Sequence, residues 1–134
     1  MRIIEKNIKI SKQWAEYAKS DFESAKVLFN GKKYKECAWH CHQSVEKLLK
    51  AILIKQNKRP RKIHDLIELL IETKIKLPEE LMNLIEELNF HYLPPRYPDF
   101  YEQIKKIYSF KNIKNVLELT KILFLWLKNY LNQN

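Results

Sequence analysis

The sequence predicts an all-α protein: an antiparallel up-and-down four-helix bundle with an additional short helix. It forms one domain over residues 1–134, with its core at about 11–131. Three observations carry this. Apolar residues recur every three or four positions through four long segments, the spacing that lines one face of a helix. The connections are short, so successive helices pack as antiparallel neighbours. And the chain holds a single glycine, Gly31, too few for the tight turns of a sheet fold.

The first segment spans about 11–30. Trp14, Tyr17, Ala18, Phe22, Ala25, Leu28 and Phe29 follow the helical step, and Asp21 interrupts it. Asn30-Gly31 closes the segment, with glycine expected in the left-handed position past the helix end. The second segment, about 33–55, carries Tyr34, Ala38, Cys41, Val45, Leu48 and Ile52. A basic connector follows, with five positive charges between Lys55 and Lys62. The third segment opens near His64 with Leu66, Leu69 and Leu70. It pauses at Leu77-Pro78 and resumes with Leu81, Leu84, Ile85 and Leu88. Proline followed by Glu79 and Glu80 suits a helix start, because acids favour the positive helix end. Leu93-Pro94-Pro95-Arg96-Tyr97-Pro98-Asp99 cannot be helical. Asp99 with Glu102 has the spacing of a capping box and opens the short helix. The last segment, about 112–131, is apolar nearly all round in its second half, so it is either central or shared with a partner.

Composition excludes whole classes. Hydrophobic residues at 46% with 31% charged make a globular chain, not a disordered one. One glycine cannot build a Walker or Rossmann phosphate loop. The longest apolar run, 122–127, is six residues, against about 20 for a membrane span. No signal peptide is visible, and a cytoplasmic protein is expected. The net charge is +9 and uneven: residues 64–92 hold seven acids and two lysines, net −5, which leaves +14 elsewhere. Such a surface favours polyanions.

Four constellations could carry chemistry. The basic connector could grip phosphates or simply be a solvated loop. Cys37, His40 and Cys41 share one side of a helix and have soft-ligand chemistry, but no fourth ligand stands out, so no metal or cofactor is expected. His42 and Glu46 are an i,i+4 pair, able to hold a base in one tautomer or merely to decorate a helix surface. The three prolines at 94–98 stiffen a loop that presents Arg96 and Asp99. An arginine fork there could clasp phosphate, or the Arg96–Asp99 pair could stitch the turn.

Three blocks in order resemble the HEPN domain (higher eukaryotes and prokaryotes nucleotide-binding) family: Gln43-Ser44-Val45-Glu46-Lys47-Leu48-Leu49-Lys50-Ala51, then His64-Asp65-Leu66, then Arg96-Tyr97-Pro98-Asp99. Trp14, Ala18 and Asp21-Phe22 fit the family's opening. The resemblance implies a helical bundle, commonly a homodimer, and for small members a minimal nucleotidyltransferase partner in a toxin–antitoxin pair. It also implies the metal-independent ribonuclease signature of many members, an arginine followed after four to six residues by histidine. Here Arg96 meets Tyr101 at that spacing, a poor base at neutral pH. The literal match is Arg59 to His64. The expected function is therefore a nucleotide- or RNA-binding module, with phosphate held by Arg96, Asp99, Arg59, Arg61 and Lys62. The alternatives are a ribonuclease toxin using Arg96 with Tyr101 or Arg59 with His64, and a purely structural interaction bundle.

Overall fold

Nothing in the first ten residues breaks a helix, and the first helix starts earlier than the apolar stripe alone indicates. The computed structural model describes residues 2–92 and 101–133, without the side chains of 101, 103 and 104. In it α1 spans Ile3–Asn30, α2 Tyr34–Lys55, α3 Leu66–Thr73, α4 Glu79–Phe90, α5 Tyr101–Ile107 and α6 Phe110–Gln133. There is no strand among the described residues, and none of the described helices is long and apolar enough to cross a membrane. α1, α2, α6 and the broken pair α3–α4 are the four members of the bundle, and α5 is the short addition.

The centre is α2, not the last helix. Fourteen of its 22 residues are buried, including Leu48, Leu49, Ile52 and Leu53. α1 and α6 pack along it, and α3 and α4 close the remaining side. α6 buries Ile113, Val116, Leu123, Phe124, Leu127 and Leu131 and leaves Ile122 and Leu125 about half exposed. Burying one large aliphatic side chain is worth about 1.5–3 kcal/mol. Four of the twelve largest fully buried side chains lie on α2, more than on any other described helix.

The helix ends have identifiable causes. At the end of α1 the left-handed residue is Lys32, at φ 62°, while Gly31 sits at φ −83°. Lys33 N–H reaches Leu28 O at 2.8 Å and Lys32 N–H reaches Phe29 O at 3.0 Å, the paired bonds of a Schellman motif. Glycine thus lies one position before the place the sequence assigns it. Asn57, φ 60°, closes α2 in the same way. α3 is capped by Asp65, whose side chain accepts from the N–H groups of Ile67 and Glu68. Ser109 Oγ accepts from Asn112 N–H at the start of α6.

Candidate functional site

His42, Glu46 and Lys50 stand four residues apart on α2, so they share one face. All three are buried, which corrects the surface-pair alternative for His42 and Glu46. The face is covered by the chain that returns from α2 into α3. Asp65 caps α3 through Oδ1. Asn89 of α4 ties the same turn from the other side, accepting from Leu66 N–H at 2.9 Å and donating to Asp65 Oδ1 at 3.3 Å. This double clamp fixes the preceding residue, His64.

Three contacts then hold His64. Its Nδ1 lies 2.9 Å from Glu46 Oε1. Its carbonyl accepts from His42 Nε2 at 3.0 Å. Its ring stacks on Tyr92, just past α4, with centroids 4.3 Å apart and planes at 21°. Tyr92 also lies against His42 at 5.0 Å. The other carboxylate oxygen of Glu46 takes Lys50 Nζ at 3.0 Å, and that ammonium sits 5.8 Å from the Trp14 ring. The His64 side chain is 48% exposed, whereas that of Glu46 is 5% exposed. A buried carboxylate thus anchors one nitrogen of a half-exposed imidazole and turns the other nitrogen outward, the arrangement that selects a histidine tautomer.

Deeper in, burial lowers the His42 pKa, partly opposed by Gln43 and by the Glu46 charge. His91 is 2% exposed. Its Nδ1 meets the Tyr108 hydroxyl at 3.0 Å, and its Nε2 is buried without a hydrogen-bond partner. Burial first, and His42 nearby, depress the His91 pKa to about 4. Burial, then Glu36, pushes the Tyr108 hydroxyl up to about 12.

The basic connector is divided. Arg61 faces Glu68 at 3.7 Å and also pairs with Glu72. Lys58 Nζ donates to the Glu72 carbonyl at 2.6 Å. Arg59 lines an open groove of about 270 Å³ with Asn7, Ile10, Ile54, Asn57, Lys58 and Pro60. Arg59 and Lys62 are exposed and have no ion pair among the described residues. Arg59 therefore belongs to the groove beside α1, and His64 to the Glu46 cluster. Arg96 and Asp99 lie outside the described residues. Tyr101 opens α5, and its side chain lies outside them too.

The soft-ligand trio is not gathered for a metal. His40 Nδ1 turns to Asp21 Oδ1 at 3.0 Å, where Lys47 also binds. This accounts for the acid that interrupts the first apolar stripe. Cys37 and Cys41 are buried free thiols. The contact between them lowers the Cys37 pKa and, with burial, raises that of Cys41. No group of three or more metal-ligating side chains occurs among the described residues. Lys50, Asn89, Tyr92 and the His91–Tyr108 pair were not legible as site residues. The available signal was the polar i, i+4, i+8 row embedded in an otherwise buried helix.

Comparison with known proteins shows the family of the chain. The model of the HEPN domain family matches residues 11–130. A Methanocaldococcus jannaschii protein named "Putative toxin MJ1304" is 35% identical over 136 residues, which cover 86% of this chain and 88% of the relative. The crystal structure of TT1696 from Thermus thermophilus superposes with a TM-score of 0.75 at 20% identity, covering 89% of this chain and 96% of the other. That of ST0689, described as an archaeal HEPN homologue, gives 0.73 at 24% identity, covering 90% and 97%. Both structural likenesses speak to the fold.

Proposed function

The chain belongs to the HEPN domain family, and from that premise we propose that it binds the phosphates of a nucleotide or RNA at the outward edge of His64. The carrying observation is the 2.9 Å contact from buried Glu46 to half-exposed His64. An imidazole fixed in this way binds an anion with little further loss of side-chain entropy, its ring N–H donating to a phosphate oxygen. Arg59 and Lys62 supply unpaired positive charge on the same connector. Arg96 stands four residues after Tyr92, a separation that an extended chain spans in about 14 Å, and its fork suits phosphate. Arg61 contributes least, because two glutamates neutralise it. The name of the Methanocaldococcus relative supports a toxin role. The expected setting is a homodimer opposite a nucleotidyltransferase partner in the cytoplasm.

The same contact favours a second reading, metal-independent RNA cleavage. RNA carries its own nucleophile, the 2′-hydroxyl. With Nδ1 on Glu46, His64 Nε2 would take the 2′-hydroxyl proton as that oxygen bonds to phosphorus and the bond to the 5′-oxygen breaks, which gives a 2′,3′-cyclic phosphate and a 5′-hydroxyl protonated by water. Arg96 and Tyr101 would stabilise charge on the phosphoryl oxygens, since Arg59 lines the groove beside α1. Labelled single-stranded RNA incubated with the protein in EDTA separates the readings. Binding at low salt, weakened about tenfold in His64→Ala and without cleavage, supports the module. Cleavage lost in both His64→Ala and Arg96→Ala supports the ribonuclease. RNA and nucleotide that neither bind nor react at low salt would remove both and leave a structural bundle.

A further inference from the structure

We infer that the first turns of α1 are an interfacial anchor. The tip of the helix, with Ile3 and Ile4, enters the headgroup layer of an anionic membrane end-on, and the cations around its foot rest on the lipid phosphates. The inference goes beyond the proposed function and concerns residues that the family match, 11–130, does not include.

Three observations carry it. First, the core-facing stripe of α1 outruns the core. Ser11, Ala18 and Ala25 stand seven residues apart and are all buried, and Ser11 Oγ donates to Ala51 O of α2 at 2.8 Å. Ile4 continues that row by one step and is 71% exposed, with Ile3 at 69% and Ile8 at 39%. The reason is length. α1 has 28 residues and α2 has 22, and the short turn between them leaves them level at that end. At the other end six residues of α1 stand past α2, about 9 Å of helix. The contact of Asn7 Nδ2 with Asn57 Oδ1, 3.0 Å, marks the foot of this tip. Second, cations ring the tip. Arg2, Lys6 and Lys9 are exposed and lack ion pairs among the described residues, and Lys58 and Arg59 line the groove at the foot beside Asn7. Third, acids are few there. Glu5 is the one acid before Glu16. α3 ends on the same side of the bundle, where Thr73 O accepts from Gln56, and Lys74 and Lys76 follow it. Glu79 and Glu80 open α4 beyond them, but α1 and α4 share no substantial contact.

The chemistry selects the occupant. Isoleucine offers nothing to a phosphate backbone, so a nucleic acid on the cations would leave the tip in water. A rod about 9 Å long and about 10 Å across exposes roughly 300 Å², well short of the ~800 Å² that each partner gives to a stable protein interface. A bilayer sets no such minimum. The apolar side of an interfacial helix sinks about 5–10 Å into the boundary between headgroups and acyl chains, which is the length of this tip. Each lysine or arginine near an anionic surface adds about fivefold to partitioning. Arg2 keeps its guanidinium among the headgroups while its stem lies along the tip. Glu5 opposes binding by a similar factor.

Flotation of the full chain with vesicles of phosphatidylglycerol and phosphatidylcholine in equal parts, at low salt, is the test, with circular dichroism confirming that each variant folds. The parent chain binds these vesicles, and binds phosphatidylcholine alone at least about tenfold more weakly. Ile3→Ser/Ile4→Ser, which leaves the charge unchanged, loses at least about tenfold in affinity for the mixed vesicles. Arg2→Gln/Lys6→Gln loses about twentyfold, and Glu5→Gln gains about fivefold. A parent chain that leaves the mixed vesicles unbound would overturn the inference and assign the tip to an acidic protein partner. A smaller loss than tenfold in Ile3→Ser/Ile4→Ser would overturn it too, because adsorption of a chain of net charge +9 by charge alone would then account for the binding. Equal affinity for phosphatidylcholine alone, or indifference to Arg2→Gln/Lys6→Gln, would overturn the anionic surface.

Discussion

At the scale of single residues, Glu46 holds together charges that would otherwise be costly. Its two oxygens serve His64 and Lys50, and Lys50 is itself only 7% exposed. Removing one partner of a buried ion pair strands the other, at about 3–5 kcal/mol. Glu46→Leu should therefore lose about that much in urea denaturation. Glu46→Leu/Lys50→Met should recover more than half of the loss, since no buried ammonium remains. Equal losses in the two variants would show that Lys50 finds water or another acceptor. His91 makes the pH prediction. Its folded pKa, about 4, lies below the ordinary 6.5, so below pH 6.5 the unfolded chain binds a proton that the folded one refuses. Stability is full above pH 6.5 and falls toward pH 4, by up to about 1.4 kcal/mol per pH unit. His42 shifts in the same direction and deepens the fall. Urea midpoints in this range should drop less steeply in His91→Gln than in the parent, and an unchanged slope would contradict the neutral buried imidazole.

At the scale of elements, the sequence shows helices more readily than it shows their ends. The pause at Pro78 and the starts of α2 and α3 follow from apolar spacing and a connector rich in charge. The end of α1 is subtler. The glycine is visible, but which residue turns left-handed depends on where the last intrahelical bond closes, and that depends on how α1 is carried over onto α2. The outcome is testable. An added Cβ at Gly31 would meet Val27 O at 3.5 Å and Leu28 O at 3.6 Å, ordinary contacts, and its φ is unstrained. Gly31→Ala should be neutral or slightly stabilising. Lys32→Gly relieves a left-handed side chain and should raise stability by about 0.5–1 kcal/mol. The reverse order in thermal melts would return the left-handed turn to Gly31. Asp65→Ala removes the α3 cap and a partner of Asn89, and should cost about 1–2 kcal/mol. It should also weaken RNA binding, because the cap fixes His64.

At the scale of the whole molecule, the sequence made the fold class plain and the site only partly. Periodicity reports burial, so four amphipathic runs were enough for a bundle. It does not report which run lies at the centre. The last helix is the most apolar at its end, yet α2 is central, because its polar residues His42, Glu46 and Lys50 are buried by pairing with one another and with His64. A site of that kind, assembled by a returning connector, has no signature in spacing alone. The same connector carries the last prediction. Each cation that neutralises a phosphate releases counterions, so the affinity for single-stranded RNA falls with salt by a slope of about 0.7 per contact. Arg59→Ala and Lys62→Ala should each reduce that slope by about 0.7. Arg61→Ala should barely change it, because Glu68 and Glu72 already occupy the guanidinium. If Arg61→Ala instead lowers the slope as much as the other two, RNA must pull Arg61 away from both glutamates. The connector would then rearrange on binding, and a pre-formed site would be the wrong description.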